Sequence, residues 1–166
     1  MPRDALSWLH VSDLHFGHGD ARYRLDQSMV CQAIGDDARE VAARRGPPDW
    51  IFVTGDIAFR GAPEEYAQAR EWLDAFAESL GVTREHVLLT PGNHDVDRAS
   101  VTGDALGKLV HGHLRASPQD LDEHLGNPRS AELLWAKLEA YNAFARDFGP
   151  AGVAADEGQS WRAHDC

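Results

Sequence analysis

Three short polar clusters in the sequence carry the residue types that bind metal ions and transfer protons. They are, in chain order, Asp13-x-His15, Gly55-Asp56 and Gly92-Asn93-His94-Asp95. Carboxylate oxygens, amide oxygens and imidazole nitrogens are suitable ligands for Mn, Fe, Zn or Mg ions. Imidazole also exchanges a proton near neutral pH. A single cluster of this kind occurs by chance in many proteins, so the interpretation depends on whether the fold brings the three together.

The elements that must position these clusters are visible as periodic apolar segments. Short apolar and β-branched runs predict strands at Trp8–Ser12, Trp50–Thr54 and Val87–Thr90, and the second run is typical of a strand buried on both faces. Apolar residues at spacings of three and four predict one helix from about Asp26 to Arg45 and another from Pro63 to Leu80. This order predicts an α/β fold with a parallel sheet and right-handed crossovers.

Each polar cluster directly follows one of the predicted strands. In open α/β sheets ligands bind at the carboxyl ends of the strands, because the loops that follow the strands meet there. The sequence therefore predicts that residues 8–97 form a β-α-β-α-β core whose three clusters converge at one edge of the sheet.

The remainder of the chain predicts helices. Gly and Pro residues interrupt residues 99–128, which indicates short helices or loops. Apolar residues recur every three or four positions from Ser130 to Phe148, which predicts one amphipathic helix. We therefore interpret residues 1–166 as a single domain, with a helical insertion or cap at 98–150 and a tail at 151–166.

The clusters, in this order and after these strands, resemble the first three signature blocks of the calcineurin-like metallophosphoesterases. The second block reads Gly55-Asp56-Ile57-Ala58-Phe59-Arg60-Gly61, and the similarity covers roughly residues 8–97. The resemblance implies a layered sheet with flanking helices. It also implies hydrolysis of phosphodiester or nucleotide-type phosphate esters by a metal-activated hydroxide at a centre of two divalent ions, of which Mn is favoured over Fe, Zn or Mg.

The resemblance implies a role for each polar residue of the blocks. Four would be metal ligands: Asp13 and His15 on the first ion, Asp56 between the two ions, and Asn93 on the second. His94 would face the substrate as a general acid or phosphate-stabilising group, and Asp95 would orient His94 by hydrogen bonding.

The sequence also departs from the family pattern. The two later blocks of the family, a lone His and a Gly-His-x-His, are not recognisable, and Gly112-His113-Leu114-Arg115 has Arg where the second His belongs. The domain is thus expected to be incomplete, with the remaining ligands beyond Cys166 or on another chain. The alternative is a truncated or degenerate domain that serves as a metal- or partner-binding regulatory module. Half a sheet would leave an unpaired edge and an uncovered core face, so the chain alone is expected to aggregate, oligomerise or need a partner.

Composition narrows the function classes. Sixteen Lys and Arg against twenty-seven Asp and Glu give a formal charge of −11, which argues against an extended nucleic-acid surface and leaves a nuclease role open. Two cysteines, Cys31 and Cys166, suggest neither a disulfide framework nor a zinc-cysteine site. No apolar run reaches the length of a membrane span. We therefore expect a cytoplasmic protein.

Other polar side chains have plainer interpretations. His10 lies inside a strand and is expected to be a packed histidine. His18 and Asp20 are expected to be solvated, with a substrate contact as the alternative. Arg60 beside the second block is either a phosphate contact or an ordinary surface residue.

Overall fold

The computed structural model describes residues 5–97 and 105–148, which form a parallel sheet with helices. The strands are β1 (Trp8–Val11), β2 (Trp50–Thr54) and β3 (Val87–Thr90), in the order β1-β2-β3. The α/β fold and the parallel sheet are confirmed. The proposed tail at 151–166 lies outside the described residues.

Helix α1 connects β1 to β2 and spans Ala21–Arg45. It begins five residues before the predicted start, because the Asp20 carboxylate accepts hydrogen bonds from the backbone N–H groups of Arg22 and Tyr23. This is the arrangement of an N-cap, which satisfies amide groups that have no partner within the helix. The helix ends at Gly46, whose positive φ of 92° stops the helical path.

Helix α2 connects β2 to β3 and spans Pro63–Ser79, close to its predicted bounds. Proline at the first position suits a helix start, because its missing N–H would have no partner there. The apolar face of α2 is buried in the core. A short 3₁₀ turn, Arg84–His86, then leads into β3.

The prediction that β2 is buried on both faces is wrong. Ile51 and Val53 are fully buried, whereas Trp50 and Phe52 are partly exposed and Thr54 is exposed. Alternate side chains of a strand lie on opposite faces, and the core of the described residues packs against only one of them. We call the other side, formed by Trp8, His10, Trp50, Phe52, Thr54 and Leu88, the open face.

The open face also corrects the expectation for His10. His10 is an exposed residue rather than a packed one, and its Nε2 hydrogen bonds with Thr54 Oγ1 at 2.5 Å. Trp8 on the same face is 59% exposed. One side of the sheet is therefore uncovered among the described residues.

The C-terminal segment is helical but more broken than predicted. Its elements are α3 (Ala105–Ala116), α4 (Leu121–Gly126), α5 (Pro128–Ala136) and α6 (Glu139–Ala145), with 3₁₀ turns at Pro118–Asp120 and Arg146–Phe148. The single helix predicted from Ser130 to Phe148 is wrong, because the chain leaves the helix at Lys137 and Leu138. The Lys137 carbonyl instead accepts a hydrogen bond from the Asp97 backbone at 2.8 Å, which ties this segment to the loop after β3.

Helix α6 and the 3₁₀ turn that follows it pack into the same core, where α6 lies against α2. Tyr141, Phe144 and Phe148 are buried, and the Phe144 ring stacks on Tyr66 of α2 with centroids 5.2 Å apart. Within the described ranges, the structure contains no helix that is both long and apolar enough to cross a membrane.

Candidate metal centre

The loops after the three strands meet at one edge of the sheet. They are loop 1 (residues 12–20), loop 2 (residues 55–62) and loop 3 (residues 91–97). Each loop contributes one side chain to a compact group: the donor atoms of His15, Asp56 and His94 lie within 4.8 Å of one another. The convergence expected for the three clusters is therefore present in the fold.

Loops 1 and 2 are joined by backbone hydrogen bonds that continue the sheet beyond its strands. The N–H groups of Asp13, His15 and Phe16 donate to the carbonyls of Gly55, Asp56 and Ile57 at 3.2, 2.9 and 2.8 Å. Since both partners are backbone groups, the side chains of His15 and Asp56 are placed by main-chain geometry rather than by each other.

Three residues of the predicted clusters adopt the left-handed backbone conformation. Asp13, His15 and Asp56 have φ values of 57°, 49° and 53°, and among the described residues they are the non-glycine residues with positive φ. Asp and His enter this region more readily than most residues, but it still costs on the order of 1–3 kcal/mol each. Such strain is concentrated at functional sites, where the surrounding structure compensates for it.

Loops 2 and 3 approach so closely that only glycine fits between them. A Cβ atom on Gly92 would lie 2.2 Å from Asp56 Oδ1 and 2.5 Å from the Asp56 backbone nitrogen. The same approach lets the backbone N–H of His94 donate to Asp56 Oδ1 at 2.9 Å. Gly92 therefore brings the third cluster into contact with the second.

The Asp95 carboxylate stabilises the contact between loops 2 and 3. Its carboxylate is fully buried and accepts hydrogen bonds from the N–H groups of Ile57, Ala58 and Gly92 at 3.2, 2.8 and 2.8 Å, and from the Tyr66 hydroxyl at 3.0 Å. Burial and the Asp95 charge raise the pKa of Tyr66, so its hydroxyl remains a donor. We expected Asp95 to orient His94 directly, but in the described residues its carboxylate joins loops 2 and 3 instead.

His94 is oriented by Phe59 of loop 2. His94 Nδ1 lies 2.8 Å from the Phe59 carbonyl oxygen, and the two rings stack with centroids 5.1 Å apart. A carbonyl only accepts hydrogen bonds, so Nδ1 carries the hydrogen. In the neutral ring, the Nε2 lone pair is then left for a metal ion or a proton.

The remaining predicted ligands lie at the margin of this group. The Asp13 side chain is 68% exposed, with Oδ1 3.9 Å from His15 Nε2. Asn93 is also exposed.

Two other polar side chains lie near the site. His18 is half-buried, and its ring centroid lies 4.0 Å from the ring centroids of Tyr23 and Phe59, so it is not the freely solvated side chain that the sequence predicts. Arg60 is exposed, with its guanidinium 5.8 Å from the centre of the Phe59 ring.

The donor set suits a divalent metal ion. Two imidazoles and a carboxylate are ligands that Zn, Mn and Fe accept. His15 Nδ1 is buried and has no hydrogen-bond partner within the part of the chain described here, which is costly for a polar atom unless something else binds it. The residues present therefore fit a metal centre, and His94, for which the sequence predicts a substrate-facing role, lies within the same group of donors.

Sequence reasoning missed the residues that support the site. Phe59 and Tyr66 hold the loops through hydrogen bonds between distant segments, and Glu65 packs against the distant Gly17. Their residue types alone do not suggest such a role. A weak signal existed for Glu65, because Pro63 marks a helix start and an acidic residue at the third helical position is common there.

The chain is similar in sequence to parts of several known proteins. A protein of Bacillus subtilis described as an uncharacterized metallophosphoesterase-like protein is 34% identical over 92 residues, 55% of this chain and 18% of that protein. A cAMP/cGMP dual specificity phosphodiesterase of Mycobacterium tuberculosis is 34% identical over 100 residues, covering 60% of this chain and 30% of the relative. A glycerophosphodiester phosphodiesterase of Enterobacter lignolyticus is 37% identical over 87 residues, covering 52% of this chain and 28% of the relative.

The chain thus spans less than a third of the length of these three relatives. Over its own length the match is more extensive, because the sequence model described as calcineurin-like phosphoesterase matches residues 6–163. The chain belongs to the calcineurin-like phosphoesterase family.

Proposed function

We propose that this chain carries the metal-binding part of a metal-dependent phosphoesterase that hydrolyses phosphodiester or nucleotide-type phosphate esters. The observation that carries the proposal is the convergence of His15, Asp56 and His94 from three loops at the carboxyl edge of a parallel sheet. Two of the relatives are named as phosphodiesterases, which supports a diester substrate.

The proposed ligands come from all three loops. Asp13 and His15 would bind the first of two divalent ions, with Mn favoured, Asp56 would bridge the ions, and Asn93 would bind the second. Ions of this kind lower the pKa of a bound water and polarise a phosphoryl oxygen. We propose that the remaining ligands come from sequence beyond Cys166 or from another chain.

His94 is the proposed proton-handling group, and its contacts limit what it does. With Nδ1–H directed at the Phe59 carbonyl, only Nε2 is left to act. A neutral His94 accepts a proton or binds an ion through Nε2, and a protonated His94 donates from Nε2 to a leaving oxygen. Asp95 supports this chemistry by keeping loops 2 and 3 together rather than by touching the imidazole.

The second candidate function is a metal- or partner-binding regulatory module without catalysis. The exposure of Asp13 and Asn93 favours it, because both lie outside the compact group of three donors. Metal content after loading with Mn²⁺ separates the candidates. About two ions per chain supports the assembled centre, whereas one or none supports the module.

Hydrolysis of bis(p-nitrophenyl) phosphate by the Mn²⁺-loaded protein tests the enzyme proposal. The Asp56→Asn variant keeps the shape of the side chain and removes the charge, so activity should fall by at least about a hundredfold. Asp122→Asn, an exposed change on α4, is the matched control and should retain wild-type activity. Equal hydrolysis by the wild type and Asp56→Asn would show that the activity does not come from this centre.

A further inference from the structure

Glu65 is a buried carboxylate in the first turn of α2. The residue is only 4% exposed, and a glutamate is rarely buried unless its carboxylate has partners. Glu65 Oε2 accepts hydrogen bonds from the backbone N–H groups of Arg60 and Ala62 at 2.8 and 3.2 Å. These charge-assisted bonds offset the loss of hydration and close the end of loop 2 onto the helix.

The same side chain lies directly against loop 1. A Cβ atom on Gly17 would be 2.4 Å from Glu65 Cγ and 2.5 Å from Oε1, so the loop backbone rests on the carboxylate. Gly17 also has a φ of 84°, which favours glycine independently. Glu65 therefore contacts loop 1, which carries His15, and loop 2, which carries Asp56.

The next residue of the helix reaches the third loop. The Tyr66 hydroxyl donates to the Asp95 carboxylate at 3.0 Å, and Asp95 in turn binds the N–H groups of Ile57 and Ala58. Two adjacent residues in the first turn of α2 thus contact all three loops of the metal centre.

We propose that Glu65 is a positioning residue of the metal centre, which holds loop 2 through hydrogen bonds from the Arg60 and Ala62 N–H groups and seats loop 1 by packing against Gly17. The proposal rests on the proposed function, because it concerns metal binding by the same loops. It depends on the acceptor oxygen rather than on the negative charge, so Glu65→Gln should preserve the function that Glu65→Ala removes.

Amide hydrogen exchange tests the hydrogen bonds between Glu65 and loop 2, and it needs no metal. The N–H groups of Arg60 and Ala62 should be protected in the wild type and in Glu65→Gln, and should lose that protection in Glu65→Ala. Unchanged protection in Glu65→Ala would overturn the proposal at its first step.

Calorimetric titration with Mn²⁺ tests the consequence for the centre. Residues that support metal ligands typically contribute about 10- to 100-fold in affinity, so Glu65→Ala should bind at least about tenfold more weakly. Leu73→Val, a buried change on the same helix, is the control for lost stability and should keep wild-type affinity. Equal weakening in both variants would show that Glu65 contributes stability alone and would contradict the proposal.

Gly17→Ala alone covers the case in which Glu65→Ala folds poorly, because it disturbs the contact from loop 1 and leaves the carboxylate in place, and it should also weaken Mn²⁺ binding. Where both variants fold, a double-mutant cycle tests the contact itself. Gly17→Ala drives a methyl group into Glu65, so the effects of Gly17→Ala and Glu65→Ala on Mn²⁺ affinity should be non-additive. The double variant should lose less affinity than the product of the two single-variant losses. Additive effects would contradict the contact. A wild type that binds no Mn²⁺ would refute the proposed function, whereas amide exchange would still decide whether Glu65 clamps the loops.

Discussion

Gly92→Ala is the smallest change that should disrupt the centre. The added methyl would lie 2.2 Å from Asp56 Oδ1 and 2.5 Å from the Asp56 backbone nitrogen, whereas ordinary contacts begin at 3.4 Å. A side-chain oxygen can rotate away, but a backbone nitrogen cannot. Loops 2 and 3 must therefore separate by about 1 Å, because no other movement relieves the clash with the main chain.

That separation breaks two hydrogen bonds to carboxylates. His94 N–H to Asp56 Oδ1 and Ala58 N–H to Asp95 Oδ1 are 2.9 and 2.8 Å long and join loops 2 and 3, so both lose contact at the larger spacing. Hydrogen bonds to charged groups contribute about 1.5–3 kcal/mol each, so we expect a loss of about 3 kcal/mol or more in the free energy of unfolding. The same free energy, lost from the loop arrangement that binds the ion, corresponds to a fall of about a hundredfold in affinity for Mn²⁺.

Chemical denaturation and Mn²⁺ titration measure the two effects. Gly112→Ala is the matched control, because a methyl there meets nothing within 4 Å on helix α3, and alanine should stabilise the helix by about 0.5–1 kcal/mol. Stability and Mn²⁺ affinity within error of wild type in Gly92→Ala would refute the reasoning, since the loops would then not be in the close contact described.

Three further predictions follow from the described contacts. Tyr66→Phe removes a donor to Asp95 and should destabilise the fold by about 1–3 kcal/mol, whereas Tyr141→Phe, whose hydroxyl is buried with no partner in the described residues, should be neutral or stabilising in the same denaturation assay. Burial lowers the pKa of His111 in the folded state, and the positive charges of Lys137 and Arg115 lower it further. Its contribution to stability is therefore complete above its ordinary pKa of 6.5 and is lost as the pH falls below it, and His111→Asn should flatten that slope in thermal unfolding between pH 5 and 7. The chain alone should self-associate through the open face, and a monomer in sedimentation at high concentration would contradict this.

The strands and the three clusters were predictable because they depend on local patterns. Trp50–Thr54 is apolar enough to indicate a strand, yet its apolar run did not reveal which side the rest of the chain covers. The break in the predicted Ser130–Phe148 helix depends on a bond from Asp97, which lies in a different segment. Tertiary contacts of this kind override local periodicity.

The site was predictable in its members more than in their roles. The family resemblance implies that Asp95 orients His94, but the fold directs its carboxylate to the amides of loop 2 and to Tyr66. Glu65 reads as an ordinary helix-start residue until loop 1 is placed against it. Residue type indicates which chemistry is available, whereas the close packing of loops decides which atoms are free to perform it.

Calorimetric titration of the wild type and Asp56→Asn with Mn²⁺ tests the central claim most directly, because Asp56 is the carboxylate that the other two loops converge on. We predict that the wild type binds the ion and that Asp56→Asn binds it at least about tenfold more weakly, while Asp122→Asn matches the wild type. Equal Mn²⁺ binding by the wild type and Asp56→Asn would contradict a metal centre at these three loops.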